Sequence, residues 1–173
     1  MPNWCENSVT IRHKNQDKLK KLQEAMVNGK FLDSVIPVPE ELKNEKLSSF
    51  GGPDKDEKDA LRRQMLEKHG YESWYDFCVD NWGTKWEVTV DDPVLEDGEL
   101  TASFSSAWSP PIGVYEELTK LGFDVDAKFY ESGEGFAGTY TSEDDEMMIY
   151  NCDSMPEELD DFFGHSTSLL DDE

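Results

Sequence analysis

Basic residues are almost missing from the second half of this chain. Of 16 Lys and Arg in 173 residues, 14 lie in residues 1–90, against 16 Asp and Glu. Only Lys120 and Lys128 lie in residues 91–173, against 23 Asp and Glu. The formal charge of −23 therefore divides into −2 and −21. That scarcity argues against direct binding of nucleic acid through the second half, because phosphate recognition needs clustered Lys or Arg. The near-balance of the first half argues against a general adaptation to salt.

Other scarcities narrow the choice further. Cys5, Cys78 and Cys152 are three, far apart and without a C-x-x-C pair, which points to a reducing cytoplasm and away from a disulfide scaffold. His13, His69 and His165 are equally scattered, so no zinc pattern can be drawn and neither metal nor cofactor is expected. No run of about 18 apolar residues is present, so no membrane span is expected. Residues 1–7 lack the basic and apolar regions of a secretory signal. Gly133-Glu134-Gly135 has no Gly-Lys after it and is not a phosphate loop. Acid pairs abound, yet no His or Lys stands beside them to complete a mechanism, so no catalytic residue is assigned. An enzyme using a carboxylate pair on a small cationic or metal-bound substrate is the alternative class.

Aromatic residues are plentiful, with 9 Phe, 6 Tyr and 5 Trp. They carry enough area for a packed core despite an apolar fraction of 36%. Residues 7–13 alternate as a half-buried strand. A helix follows, capped by Asn15 or Asp17, with Leu19, Leu22, Ala25 and Met26 on one face and Gly29 at its end. Residues 48–53 read as a flexible loop. Helices are predicted from Asp54 or Asp56 to Lys68, with Leu61, Met65 and Leu66 inward, and over Ser73 to Asn81. Trp86, Val88 and Val90 alternate as a strand over 82–90. Asp97-Gly98 is a hairpin signal, and a strand over 99–107 follows it. Pro110 and Pro111 stop that strand and open a helix bearing Val114, Leu118 and Leu121. Strands over 123–130, 136–141 and 147–152 come next, then a short helix over 156–163 capped by Asp153 or Ser154.

The first six main elements spell β-α-β-β-α-β, the split pattern of ferredoxin-like folds. The expectation is an α+β protein, one domain over residues 1–165. It has an antiparallel sheet, a helical insertion at about 31–81 and an extra C-terminal hairpin and short helix. Residues 166–173 read as a flexible acidic tail. Trp4, Trp82, Trp86, Trp108, Pro110 and Pro111 are expected to be structural anchors, the tryptophans as buried pillars. A base-stacking platform would need a positive groove around them.

Several pieces occur in order: Asn3-Trp4-Cys5-Glu6-Asn7, Ile36-Pro37-Val38-Pro39-Glu40-Glu41-Leu42, Trp82-Gly83-Thr84-Lys85-Trp86, Ala107-Trp108-Ser109-Pro110-Pro111, and Tyr130-Glu131 with Gly135-Phe136-Ala137-Gly138. On these the chain resembles a family of phage- and plasmid-encoded proteins of unknown function, that of the plasmid protein YubB. The resemblance implies a ferredoxin-like domain and a mobile-element origin, and supplies no activity.

Function is therefore sought in the acidic half. Asp124, Asp126, Glu131, Glu134, Glu143, Asp144, Asp145, Glu146, Glu157, Glu158, Asp160 and Asp161 are the candidate protein-binding residues. The expected partner is a host protein with a basic, nucleic-acid-binding surface, engaged as a nucleic-acid mimic would engage it. A module that self-associates across the sheet edge near Met147 to Cys152 is a further alternative, and the oligomeric state is open.

Overall fold

The computed structural model describes residues 3–47, 52–144 and 146–164. Most of the predicted loop over 48–53, the predicted tail over 166–173 and the candidate Asp145 lie outside the described residues. Six strands form one sheet: β1 (Trp4–Arg12), β2 (Asp91–Glu96), β3 (Glu99–Ala107), β4 (Asp124–Glu131), β5 (Phe136–Thr141) and β6 (Glu146–Asn151). Their order is β2-β3-β1-β4-β5-β6, and every neighbouring pair is antiparallel. The first four strands with helices α1 (Gln16–Val27) and α5 (Ile112–Lys120) make the split β-α-β-β-α-β unit. Strands β5 and β6 extend it beyond β4.

The two faces of the sheet differ in what covers them. Period-two alternation sends Val9, Ile11, Leu100, Ala102, Phe104, Val125 and Ala127 to one face. There they meet Leu19, Leu22 and Met26 of α1 and Val114, Tyr115 and Leu118 of α5. The insertion carries α2 (Phe31–Val35), α3 (Lys55–His69) and α4 (Trp74–Asn81). It contributes Phe31, Leu32, Leu42, Leu47, Met65, Phe77 and Cys78 to the same core. Leu66, predicted inward on α3, is instead 46% exposed. The caps at Asn15 and Ser73 are formed, each side chain accepting an N–H of the first helical turn. The last helix, α6 (Glu157–Phe163), has Pro156 at its N-cap, with no side chain bonded there. Neither Asp153 nor Ser154 caps it.

The predicted strand over 82–90 is corrected. Val88 and Val90 are buried as alternation requires, yet β2 begins only at Asp91. The reason lies in where the segment's polar groups go. The Val88 N–H donates to the Glu87 carboxylate (3.1 Å), which also accepts the Leu32 and Asp33 N–H groups at 2.8 Å each at the start of α2. The Thr84 hydroxyl donates to the Ala107 carbonyl (2.9 Å), standing in for a ladder bond. A bulge between Asp91 and Val94, with Asp92 at φ 45°, then brings the chain into register with β3. Asp97 and Gly98, at φ 49° and 84°, form the predicted hairpin.

The end of β3 and the start of α5 interlock with residues 81–84. Ser106, buried at a core-facing position, donates to the Ser109 carbonyl (2.7 Å) and accepts from Asn7 Nδ2 (2.9 Å). Tyr115 Oη donates in turn to Asn7 Oδ1 (3.2 Å). The Ser109 hydroxyl donates to the Gly83 carbonyl, and the Gly113 N–H to the Trp82 carbonyl (3.2 Å). Trp82 Nε1 donates to the Ile36 carbonyl (2.9 Å), which ties in the insertion.

A Cβ at Gly113 would fall 2.0 Å from the Asn81 carbonyl oxygen, a backbone atom with little room to yield. Gly113→Ala is expected to lower stability by about 1–3 kcal/mol through overpacking. Ser105→Ala, on an exposed side of the neighbouring strand, should stay within about 0.5 kcal/mol of the parent. Urea denaturation of the two variants against the parent checks both.

Candidate functional site

The second face of the sheet has far less cover. It carries Glu6, Ser8, Thr10 and Arg12 from β1, Glu99, Thr101, Ser103 and Ser105 from β3, and Asp124, Asp126, Lys128 and Tyr130 from β4. Helix α6 lies on its β4 side. Lys128 Nζ pairs with Glu158 (2.6 Å) and sits 4.9 Å from the Phe162 ring centroid. The Tyr130 and Phe163 rings stack with centroids 5.4 Å apart, and Leu159 is buried beneath. The Lys128 ammonium holds the Glu158 carboxyl below its ordinary range by hydrogen bonding and charge. Gly164, at φ 69°, ends the helix in the left-handed region.

This arrangement commits the few cations and leaves carboxylates outward. Arg12 pairs with Glu99 (2.6 Å) and Asp124 (3.4 Å). Lys120 pairs with Glu117 (3.5 Å) on α5. Asp126 is exposed on the open face, Glu143 and Asp144 are exposed in the β5–β6 turn, and Glu146 is exposed on β6. Glu157 and Asp161 are exposed on α6. Among the described residues none of these six is in an ion pair. Glu134 is exposed in the β4–β5 turn, away from the others, and Asp160 is partly buried on α6.

One candidate is corrected. Glu131 is 1% exposed, and its carboxylate accepts the Gly133 N–H (2.7 Å) and the Glu134 N–H (2.6 Å). It shapes the β4–β5 turn from inside and presents no charge to a partner. Alternation along β4 places residue 131 on the covered side, so the signal was there, masked by a Glu among many.

The tryptophans are corrected as well. Trp82 is buried, as are Pro110 and Pro111, but Trp4, Trp86 and Trp108 are 51%, 38% and 42% exposed. Trp108 takes a left-handed φ of 70° as the chain turns toward the proline pair, which swings its ring off the core face. Trp4 occupies the open-face phase of β1. The Trp4 and Trp86 rings lie 6.3 Å apart. Lys85 Nζ stands 4.3 Å, 5.0 Å and 5.5 Å from the ring centroids of Trp86, Trp108 and Tyr75. Lys85 went unremarked in the sequence, although its place between Trp82 and Trp86 was the available cue. A groove of about 770 Å³ runs over the open face, with Glu6, Ser8, Asp91, Ser103 and Ser105 among its lining residues and Trp4, Phe162 and Phe163 also bordering it.

Among the described residues no three His, Cys, Asp or Glu side chains gather to hold a metal. Burial raises the Glu87 carboxyl above its ordinary range, and its oxygens serve the three N–H groups named above. Among the described residues no helix is long and apolar enough to cross a membrane.

Residues 81–165 match the family model for the ferredoxin-like domain in Api92-like protein. That span contains β2, β3, α5 and β4 together with the added β5, β6 and α6. No curated protein matches the chain. Among solved structures, the crystal structure of a protein api92 from Yersinia pseudotuberculosis is similar at 12% identity and a TM-score of 0.45, covering 90% of this chain and 100% of that one.

The three thiols are buried, and burial pushes those of Cys5 and Cys78 up to about 12. Cys152 is raised by the same cause. The thiolate is the nucleophile, so the folded protein at pH 8 should give almost no reaction with a disulfide reagent such as DTNB. Three equivalents should titrate after denaturation in guanidinium.

Proposed function

We propose that the chain is a non-catalytic binding protein that engages a basic partner protein through the acid-bearing layer of β4, β6, the β5–β6 turn and α6. The observation that carries this reading is the pairing pattern there. Lys128 is already held by Glu158 (2.6 Å), while Asp126, Glu143, Asp144, Glu146, Glu157 and Asp161 face outward as exposed acids. A field of one sign, on small strands and one short helix, speeds encounter with an oppositely charged surface by about 10 to 10³. Exposed carboxylates at strand and helix spacing offer a basic protein the kind of charge it meets along a phosphate backbone. On this reading the target is a host factor that handles nucleic acid or serves in defence, as a mobile-element origin would suit, and the chain competes for its nucleic-acid site.

Replacing Glu157 and Asp161 with Lys reverses two charges without touching Lys128, Tyr130 or Leu159. Association with a basic, DNA-binding probe protein is expected to slow by about tenfold. Complexes formed by the parent at low ionic strength should dissociate near 1 M salt, where the screening length falls to about 3 Å. Surface plasmon resonance over a salt series reads both. Binding that ignores salt, or a double variant that associates as fast as the parent, would remove this reading.

A further inference from the structure

Strand β6 closes the sheet on the side away from β2, and among the described residues it carries no Lys, no Pro and no bulge. Natural edges are blunted by Lys, Pro, bulges or cover from another element. Residues 147–150 are Met-Met-Ile-Tyr, and β6 pairs with β5 in unbroken register. Met147, Met148 and Ile149 are 41%, 47% and 57% exposed, so side chains on both faces of the strand are partly bare. The Cys152 N–H donates to the Gly135 carbonyl (2.9 Å). By the alternation of an antiparallel ladder, the backbone groups of Tyr150, Met148 and Glu146 then turn toward β5. Those of Met147 and Ile149 turn outward.

The ends of this edge choose its occupant. Glu143, Asp144 and Glu146 stand at one end, and Glu134 and Asp153 at the other, all exposed. A second copy pairing antiparallel through β6 would set acid against acid at both ends, and like charges directly opposed are destabilising. A strand that is uncharged in its middle and basic at both ends meets complementary charge at each. We propose that β6 is a docking edge for such an extended, basic-ended segment of the partner, which adds a seventh strand to the sheet. This rests on the acidic-surface reading and specifies how the partner is held: backbone bonds to Met147 and Ile149 supply register, and the flanking acids supply orientation.

The test uses the full chain and synthetic peptides. One alternates valine and threonine between paired lysines; the others are its glutamate-ended twin, a copy N-methylated at every valine and threonine so that neither edge can pair, and an alternating lysine–proline peptide that cannot pair as a strand. The lysine-ended strand should bind about tenfold more tightly than the glutamate-ended and N-methylated copies, and it should slow amide exchange at Met147 and Ile149. Ile149→Pro deletes an outward N–H that the β5 ladder does not use, and should lose about tenfold in affinity for the strand peptide alone. Equal binding of the N-methylated copy overturns docking on β6, and does so without any variant. If the lysine–proline peptide binds in a salt-sensitive way and the strand peptide binds no better, the acidic surface stands and β6 docking falls. If no basic peptide binds, both fall. A doubled mass in sedimentation that Ile149→Pro abolishes would assign the edge to a second copy and overturn the proposal.

Discussion

The interlock between residues 81–84 and 106–113 is the constraint on which the rest of the molecule depends. At that point a strand ends, a helix begins, and the insertion returns to the sheet. Polar groups bond across it: Ser106 with Asn7 and Ser109, Ser109 with Gly83, Gly113 with Trp82, Thr84 with Ala107. A buried network of this kind is costly when half satisfied and rigid when complete. These bonds set the direction in which α5 leaves the sheet, and therefore which face the helices cover. Gly83 at φ 85° and Gly113 against the Asn81 carbonyl allow the backbones to approach that closely.

Once α1, α5 and the insertion share one face, the charges separate by layer. Lys18, Lys20 and Lys21 lie on α1, Arg12 at the end of β1 is paired with Glu99 and Asp124, and the other cations of the first half are spread over loops, short helical turns and α3. On the opposite side, β4 to β6 and α6 hold Lys128 as their one cation. Its pairing with Glu158 and its position over the Phe162 ring fasten α6 to the sheet. The same contact that attaches the helix commits the one cation of that layer to an ion pair.

Much of the fold was legible in residue pattern, and the failures share a cause. Alternation placed β3 and β4, the glycine-rich turn at 132–135 placed β5, Asp97-Gly98 placed the hairpin, and Asn15 and Ser73 placed two helix starts. The segment 82–90 also alternated, but Glu87 and Thr84 redirected hydrogen bonds that a ladder would need, a tertiary event with no local mark. Trp4, Trp86 and Trp108 were expected inside because tryptophan carries so much apolar area. The strand phase of Trp4 and the left-handed turn at Trp108 outweighed that tendency. The acids were visible as a composition, and the strand phase that turns Glu131 inward to fold a turn was hidden among them, while Asp126 and Asp161 face water.

Concentrating acids in one layer has a physical cost. Like charges within a screening length of about 8 Å repel, and a surface carrying the same number of acids in an even spread would be as soluble with less strain. Here the repulsion is retained on the strands that also end in a bare, uncharged edge. A basic, extended segment would relieve both conditions at once, neutralising the flanking carboxylates and occupying the outward N–H and C=O groups of Met147 and Ile149. Charge and backbone valence are unsatisfied at the same place on the sheet, and a single partner chemistry answers them together.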